Sequence, residues 1–315
     1  PARLIAVLAL AALAAIALAL SVGVGPRGWT VSTGALFADL LDWRGPRVAV
    51  AAAAGAMLAA AGMVLQRVTA NPLAGPEMLG VGSGAGVGLA AALFAFTAPG
   101  LGVQVAASAL GATLVLGGML ALSRRAGFGP ERLLLAGIAM GALCSAVLTA
   151  VIATGSPQAF DLLRWLSGST NEATPAEAWL CAAAAVALLA PLPWMARWLE
   201  ILPLGDVTAQ ALGLPVRRCR AVLVVLAGLL TAVASLSVGP LSFVGLVAPH
   251  LARLLGLGRP LAHGAGAVLI GAGLMVASDW LARTAAFPYQ LPLGLFASLL
   301  AGPYLVWLLG RDGRT

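Results

Sequence analysis

Ten apolar runs, nine of them about as long as a bilayer core is thick, are separated by short polar gaps along the chain. They cover residues 3–22, 47–66, 77–96, 103–123, 132–153, 176–196, 218–238, 243–257, 264–284 and 292–309. A helix needs about 20 mostly apolar residues to cross the hydrocarbon layer. Within the runs, apolar residues follow one another without the alternation that barrel strands require, and Ala, Leu and Gly outnumber the strand formers. The pattern predicts an all-α polytopic membrane protein of ten spans, built as one transmembrane domain over residues 1–315. The eighth run is the shortest. Pro249 and His250 interrupt it, which predicts a broken helix enclosed by protein. Spans 2–5 and 7–10 are four-span blocks that enter the membrane from opposite sides, an inverted arrangement common in transporters.

The gaps predict smaller elements. The segment 154–175 carries a short helix between Ala159 and Leu166. The segment 197–220 carries another over residues 206–212, with Asp206 at its positively polarised start and Gly213 ending it. The loop from about 23 to 46 holds Trp29 and Trp43, a residue type favoured at membrane interfaces. The first run, preceded by Arg3, is long for a cleaved leader and is read as a retained span. A chain that starts at Pro1 is read as trimmed or as part of a longer polypeptide.

Charge orients the spans. All 18 basic residues are arginine, and the formal net charge is +7. With both termini placed in the cytoplasm, Arg27, Arg44, Arg47, Arg164 and Arg283 fall outside and the other thirteen arginines inside. This is the direction of the positive-inside rule. The basic balance therefore reads as topology rather than as a nucleic-acid surface. Hydrophobic residues make up 61% of the chain and charged residues 9%, against roughly 25% charged in soluble domains.

The chemistry-bearing residues are few. The glycines Gly80, Gly82, Gly84, Gly86 and Gly88 repeat at helical spacing inside an apolar run, and predict close helix contact rather than a phosphate loop. The chain has no lysine, so it holds no Walker A motif; if ATP drives the protein, another polypeptide hydrolyses it. Cys144, Cys181 and Cys219 lack metal-ligand spacing and read as small packing residues, with no disulfide. His250, beside Pro249, is an ionisable residue in a membrane run and a candidate for the pathway. With His263 as the one other histidine, the two do not make a metal site. Gln66, Asn71, Pro72 and Pro76 form a polar, proline-broken gap that reads as a turn or as a gate beside a pathway. Asp279 and Arg283 stand four apart, acid first, as a helix ion pair, with Arg283 able to offer a free face to a partner. No nucleophile–base pair or paired carboxylates are evident, and the chain is not read as an enzyme.

Taken together, several stretches resemble one family. They are LQRVTANPLAGPEMLGVGSG ending at Gly84, LLLAGI (133–138), WLSGST (165–170), LGDVTAQALG (204–213), GPLSFVGLVAPHLAR (239–253) and QLPLGLFASLLAGPYLVWLL (290–309). They are similar to the permeases of importers for iron–siderophore complexes, haem and vitamin B12. Within that family, WLSGST followed by Asn171 and GPLSFVGLVAPH are most similar to the C-terminal half of the fused ferric-hydroxamate permeases.

The resemblance implies a type II ATP-binding-cassette importer permease in a bacterial inner membrane. Two such halves, fused, separate or as a homodimer, would surround a pathway in membrane lipid. Two ATPase subunits carrying ATP and magnesium would dock inside, with no cofactor bound by this chain. A periplasmic or lipoprotein substrate-binding protein would dock outside. The resemblance further implies that Leu204, Gly205, Asp206, Ala209, Leu212 and Gly213 couple to the ATPase. It implies that Arg44, Arg47 and Arg283 meet acidic residues of the binding protein, a task suited to the planar guanidinium fork. The cargo expected is a ferric hydroxamate, with haem or vitamin B12 as alternatives and an ion-coupled transporter as a more distant one.

Overall fold

A computed structural model describes residues 1–25, 28–125 and 129–312. Arg27 and Arg314, both used in the charge count, lie outside the described residues. Each of the ten apolar runs contains a helix. In chain order the elements are α1 (Ala2–Ser21), strands β1 (Val22–Gly25) and β2 (Gly28–Val31), α2 (Ala35–Val68), α3 (Val81–Ala95), α4 (Leu101–Arg125) and α5 (Pro130–Ile152). There follow α6 (Pro157–Leu166), α7 (Pro175–Leu189), α8 (Ala196–Ile201), α9 (Asp206–Ala211), α10 (Val216–Val238), α11 (Val244–Leu254), α12 (Pro260–Thr284) and α13 (Leu293–Asp312). Single 3-10 turns occupy Pro76–Leu79 and Leu202–Leu204.

Among the described residues, six helices are long and apolar enough to cross a membrane: α1, α2, α4, α5, α10 and α12. The apolar helices α3, α7 and α11 are shorter. At 1.5 Å per residue, the 15 residues of α3 reach only about 22 Å.

The helix α2 is the axis of the chain. It packs against α12, α10, α7, α11 and α1, and from Ala54 to Gln66 every residue is buried. Its composition explains this position. Alanine and glycine let neighbouring backbones come close, and in lipid such contact drives helix association. A Cβ at Gly55 would strike the carbonyl of Gly271 on α12, and one at Gly62 would overlap the carbonyl of Gly245 on α11. Gly84 and Gly88 of α3 meet Gly111 and Ala107 of α4 in the same way.

Several boundaries differ from the expectation. The helix α2 begins at Ala35, not near residue 47, and continues through Gly45 and Pro46. Interior proline removes one backbone bond and usually breaks a helix; here Arg44 and Arg47 on either side are fixed by tertiary contacts. The loop before it includes an antiparallel hairpin pairing Val22 with Val31. Pro249 and His250 do not break α11, which runs unbroken from Val244 to Leu254. Gly80 lies outside α3 in a left-handed conformation (φ 68°) between the 3-10 turn and the helix, against Gly137 and Gly141 of α5. The sixth span ends at Leu189 rather than residue 196, before Pro191 and Pro193.

The short elements match. The helix α6 starts after Ser156, whose hydroxyl accepts the Ala159 amide at 3.3 Å, a standard N-cap. The helix α9 starts at Asp206 and gives way at Gly213, φ +79°. All three cysteines are buried.

Candidate functional site

The sequence candidates separate into two clusters at opposite ends of α2. Arg47 and Arg67 are 20 residues apart on that helix, about 30 Å at helical rise. Arg67 donates to the carbonyl of Leu199 at 3.2 Å, which places the segment 204–213 at the Arg67 end. Arg44, Arg47 and Arg283 gather at the other end.

At that second end, Arg47 is the hub. Its side chain is 1% exposed and that of Asp279 is 0% exposed, and they meet at 3.4 Å. Arg47 also donates to Gln290 Oε1 at 2.9 Å and to Asn171 Oδ1 at 2.7 Å. Its guanidinium lies 4.9 Å from the ring centre of Trp43, a cation–π distance. Asp279 further accepts from the Thr170 hydroxyl at 2.5 Å. Its other oxygen pairs with Arg283 Nε at 3.0 Å, the i,i+4 pair expected from spacing. Arg283 reaches the carbonyl of Ala19 at 3.0 Å, and Arg44 reaches that of Leu20 at 2.8 Å. Trp280 donates to the carbonyl of Val22 at 3.0 Å.

These bonds tie α1, α2, α12 and the loops around Asn171 and Gln290 into one knot. One carboxylate serves it beside three guanidinium groups. Buried charge persists only where it is paired and hydrogen-bonded. The carbonyls that end α1 help here, because a helix C-terminus carries partial negative charge.

Arg44, Arg47 and Arg283 are all buried within the chain, and Arg283 does not present the free face expected of it. The reason is electrostatic: Asp279, Gln290, Asn171 and the α1 carbonyls satisfy them internally. Among the described residues, Arg164 is an exposed arginine at this end, paired with Glu172 at 2.7 Å.

At the Arg67 end, the gate candidates divide. Gln66 donates to the carbonyl of Leu246 at 3.2 Å and accepts from Arg253. Pro76 lies against Gly245. Pro249 accepts from His263 Nε2 at 2.8 Å. The helix α11 is thus held by Gln66, Pro76 and His263. Asn71 and Pro72 do not join it: the Asn71 carboxamide accepts the Leu73 amide at 2.9 Å, a local turn, and Pro72 is exposed. The ring of His250 lies 6.0 Å from that of Tyr304 on α13.

The segment 204–213 is braced from beneath. Arg220 on α10 grips Asp206 at 2.6 and 3.2 Å through both terminal nitrogens. This guanidinium, through its hydrogen bonds, holds the Asp206 carboxyl below the usual carboxylate range. Ala209 is buried, while Leu204, Val207 (84% exposed) and Leu212 turn apolar side chains outward. Apolar residues displayed on a short braced helix suit contact with another protein.

Residue-level reading missed several members of these clusters. Thr170, Asn171 and Gln290 lie in or beside stretches that carried the family resemblance, which was their one available signal. His263 carried none. Its Nδ1 accepts from Arg67 at 3.2 Å while its Nε2 donates to Pro249, so one neutral ring joins three helices. Among the described residues, no group of three or more His, Cys, Asp or Glu side chains is arranged to hold a metal ion.

Comparison with known proteins gives the same architecture. The FecCD transport family matches residues 4–311. The chain is 43% identical over 296 residues to the iron(3+)-hydroxamate import system permease protein FhuB of Escherichia coli K12, covering 94% of this chain and 45% of the relative. It therefore spans about half the length of that relative. It is 36% identical over 299 residues to the vitamin B12 import system permease protein BtuC of Escherichia coli O157:H7, covering 92% of this chain and 89% of that one. A solved metal-chelate type ABC transporter in an inward-facing conformation superposes with a TM-score of 0.85 at 25% identity, over 98% of this chain and 99% of that one. The PsaBC complex of Streptococcus pneumoniae with Fab shares the fold at a TM-score of 0.58 and 16% identity, over 85% of this chain and 92% of that one.

Proposed function

Because this chain belongs to the FecCD transport family, we propose that it is one half of the membrane unit of an ATP-driven importer that carries Fe(III)–hydroxamate complexes. The similarity to the ferric-hydroxamate permease across nearly the whole chain carries this reading. Because the chain spans about half of that relative, a second permease half, fused or separate, completes the pathway. The cargo crosses unchanged. ATP and magnesium belong to ATPase subunits that contact the outward face of Leu204, Val207 and Leu212, braced through Asp206 and Arg220. The knot around Arg47 forms the opposite end, where a binding protein releases its cargo. In this arrangement the knot shapes the docking end, and contact with the binding protein falls to residues around it. Both termini lie on the ATPase side, in the cytoplasm of a bacterial cell.

Growth of permease-deficient cells with a ferric hydroxamate as sole iron source tests the reading. The full system containing this chain is expected to restore growth. Failure, with normal membrane insertion, refutes it.

A second reading keeps the importer and changes the cargo to vitamin B12. Its support is the chain's match to nearly the whole of a vitamin B12 permease. The same cells scored for cobalamin-dependent growth separate the two.

A further inference from the structure

A cavity of about 700 Å³ opens at the Arg47 end, between α3, α4, α6, α7 and α10. It lies within the size range of small-molecule sites, roughly 300–1,000 Å³. Thr170 is its wall toward the arginine knot, since this residue both lines the cavity and bonds Asp279.

Most of the wall is apolar, with Gln104, Ser108, Ser169 and Ser237 as polar points on it. Leu93 and Val105 line one side, Leu180 and Ala184 another, and Val233 and Leu236 the floor. Leu180 is 72% exposed, and Leu101 and Val105 are exposed beside it. Along the outward faces of α4 and α7, Leu110, Leu114, Trp179 and Val186 are also exposed. Exposed apolar faces of this kind suit acyl chains. The cavity opens beside them.

The rim is charged. Asp161, Arg164, Glu172 and Glu177 line it, three carboxylates against one guanidinium. Arg164 and Glu172 form an exposed ion pair of 2.7 Å. Apolar walls below a mixed rim match a molecule with an acyl tail and a head bearing both signs. The phosphate would meet Arg164, and the acidic excess selects a head that ends in an ammonium group able to donate hydrogen bonds. An anionic head would face net repulsion there.

We propose that this cavity is a binding site for one membrane phospholipid of the phosphatidylethanolamine type, its acyl chain between α4 and α7 and its head on the Arg164–Glu172 rim. The lipid would wedge the packing of α7 against α10 beside the knot. This inference is independent of which cargo is carried.

The test is native mass spectrometry of the intact permease unit after extraction from vesicles of equal parts phosphatidylethanolamine, phosphatidylcholine and phosphatidylglycerol. One phosphatidylethanolamine per chain is expected to remain, several-fold over either competitor. Glu172→Arg brings the rim to two carboxylates against two guanidinium groups, and should abolish the preference for phosphatidylethanolamine over phosphatidylglycerol. Ala184→Trp fills the tail site and should abolish retention. The exposed position of Glu172 keeps the first variant informative should the second fail to fold. The proposal is overturned if wild type retains no lipid, if it retains the three lipids equally, or if Glu172→Arg leaves the preference unchanged. It is equally overturned if a ferric hydroxamate displaces the lipid from the cavity, which would make it a cargo subsite.

Discussion

Arg47 and Asp279 are 232 residues apart in sequence and meet at 3.4 Å, both closed off from solvent. Their pair joins α2 to α12, and Arg283 and Thr170 complete the shell of the carboxylate. Removing Asp279 leaves Arg47 and Arg283 buried with no carboxylate between them. Breaking a buried pair from one side typically costs about 3–5 kcal/mol. Asp279→Ala should therefore lower the apparent melting temperature of the purified permease strongly, and Asp279→Asn, which keeps the acceptor for Thr170, should lower it less. An unchanged melting temperature in Asp279→Ala would show that the knot carries no structural weight.

The bond between Asp206 and Arg220 predicts a pH response of the coupling segment. The folded carboxyl titrates below its unfolded value of about 3.9, chiefly through the Arg220 hydrogen bonds. A depressed acid contributes stability above its unfolded pKa, and that contribution is lost as pH falls through the folded pKa. A spin label at Val207→Cys should thus be ordered from pH 7 down to the ordinary carboxylate range, and become mobile only below it. Adding Asp206→Asn should make it mobile at every pH. Equal mobility of the two at pH 7 would contradict the brace.

The same brace bears on transport. Replacing Gly205 or Asp206 is expected to leave the ATPase bound and hydrolysing while cargo uptake falls. Gly205 sits at φ +95°, a conformation that L side chains rarely adopt, so Gly205→Val distorts the entry to α9. The ratio of ATP hydrolysed to cargo accumulated measures the effect; an unaltered ratio in both variants removes this segment from the coupling path.

Close helix contact at α2 makes a sharper claim about single atoms. Gly62→Ala places a methyl group on the backbone of Gly245, whereas a Cβ at Gly273 meets nothing within 4 Å. Overfilling of this kind costs roughly 1–3 kcal/mol. Gly62→Ala should lower the thermal stability of the unit, and Gly273→Ala should leave it equal or slightly raised. Similar behaviour of the two would argue against direct backbone contact between α2 and α11.

Much of this fold was legible from local pattern, because an apolar run of span length has few alternatives in lipid. The ion pair of Asp279 with Arg283 was legible for the same reason: four residues make one helical turn. The start of α2 was not. Trp43 to Arg47 presents glycine, proline and two charges, and locally that reads as a loop. The helix persists there because Leu20, Ser32, Asn171, Gln290 and Asp279, all distant in sequence, satisfy its arginines. The burial of Arg44, Arg47 and Arg283 was hidden for the same reason, since charge counting assigns an arginine to a side of the membrane and says nothing of its depth. His263 was illegible because a lone histidine carries no spacing; its role comes from Arg67 and Pro249 on other helices.

Accumulation of radiolabelled iron in proteoliposomes tests the central claim most directly, with the permease unit, its ATPase and its binding protein reconstituted together. Ferric hydroxamate is expected to accumulate only when ATP is present on the ATPase side, and unlabelled vitamin B12 or haem should not compete. Accumulation without ATP, or of cobalamin in place of the hydroxamate, would contradict it.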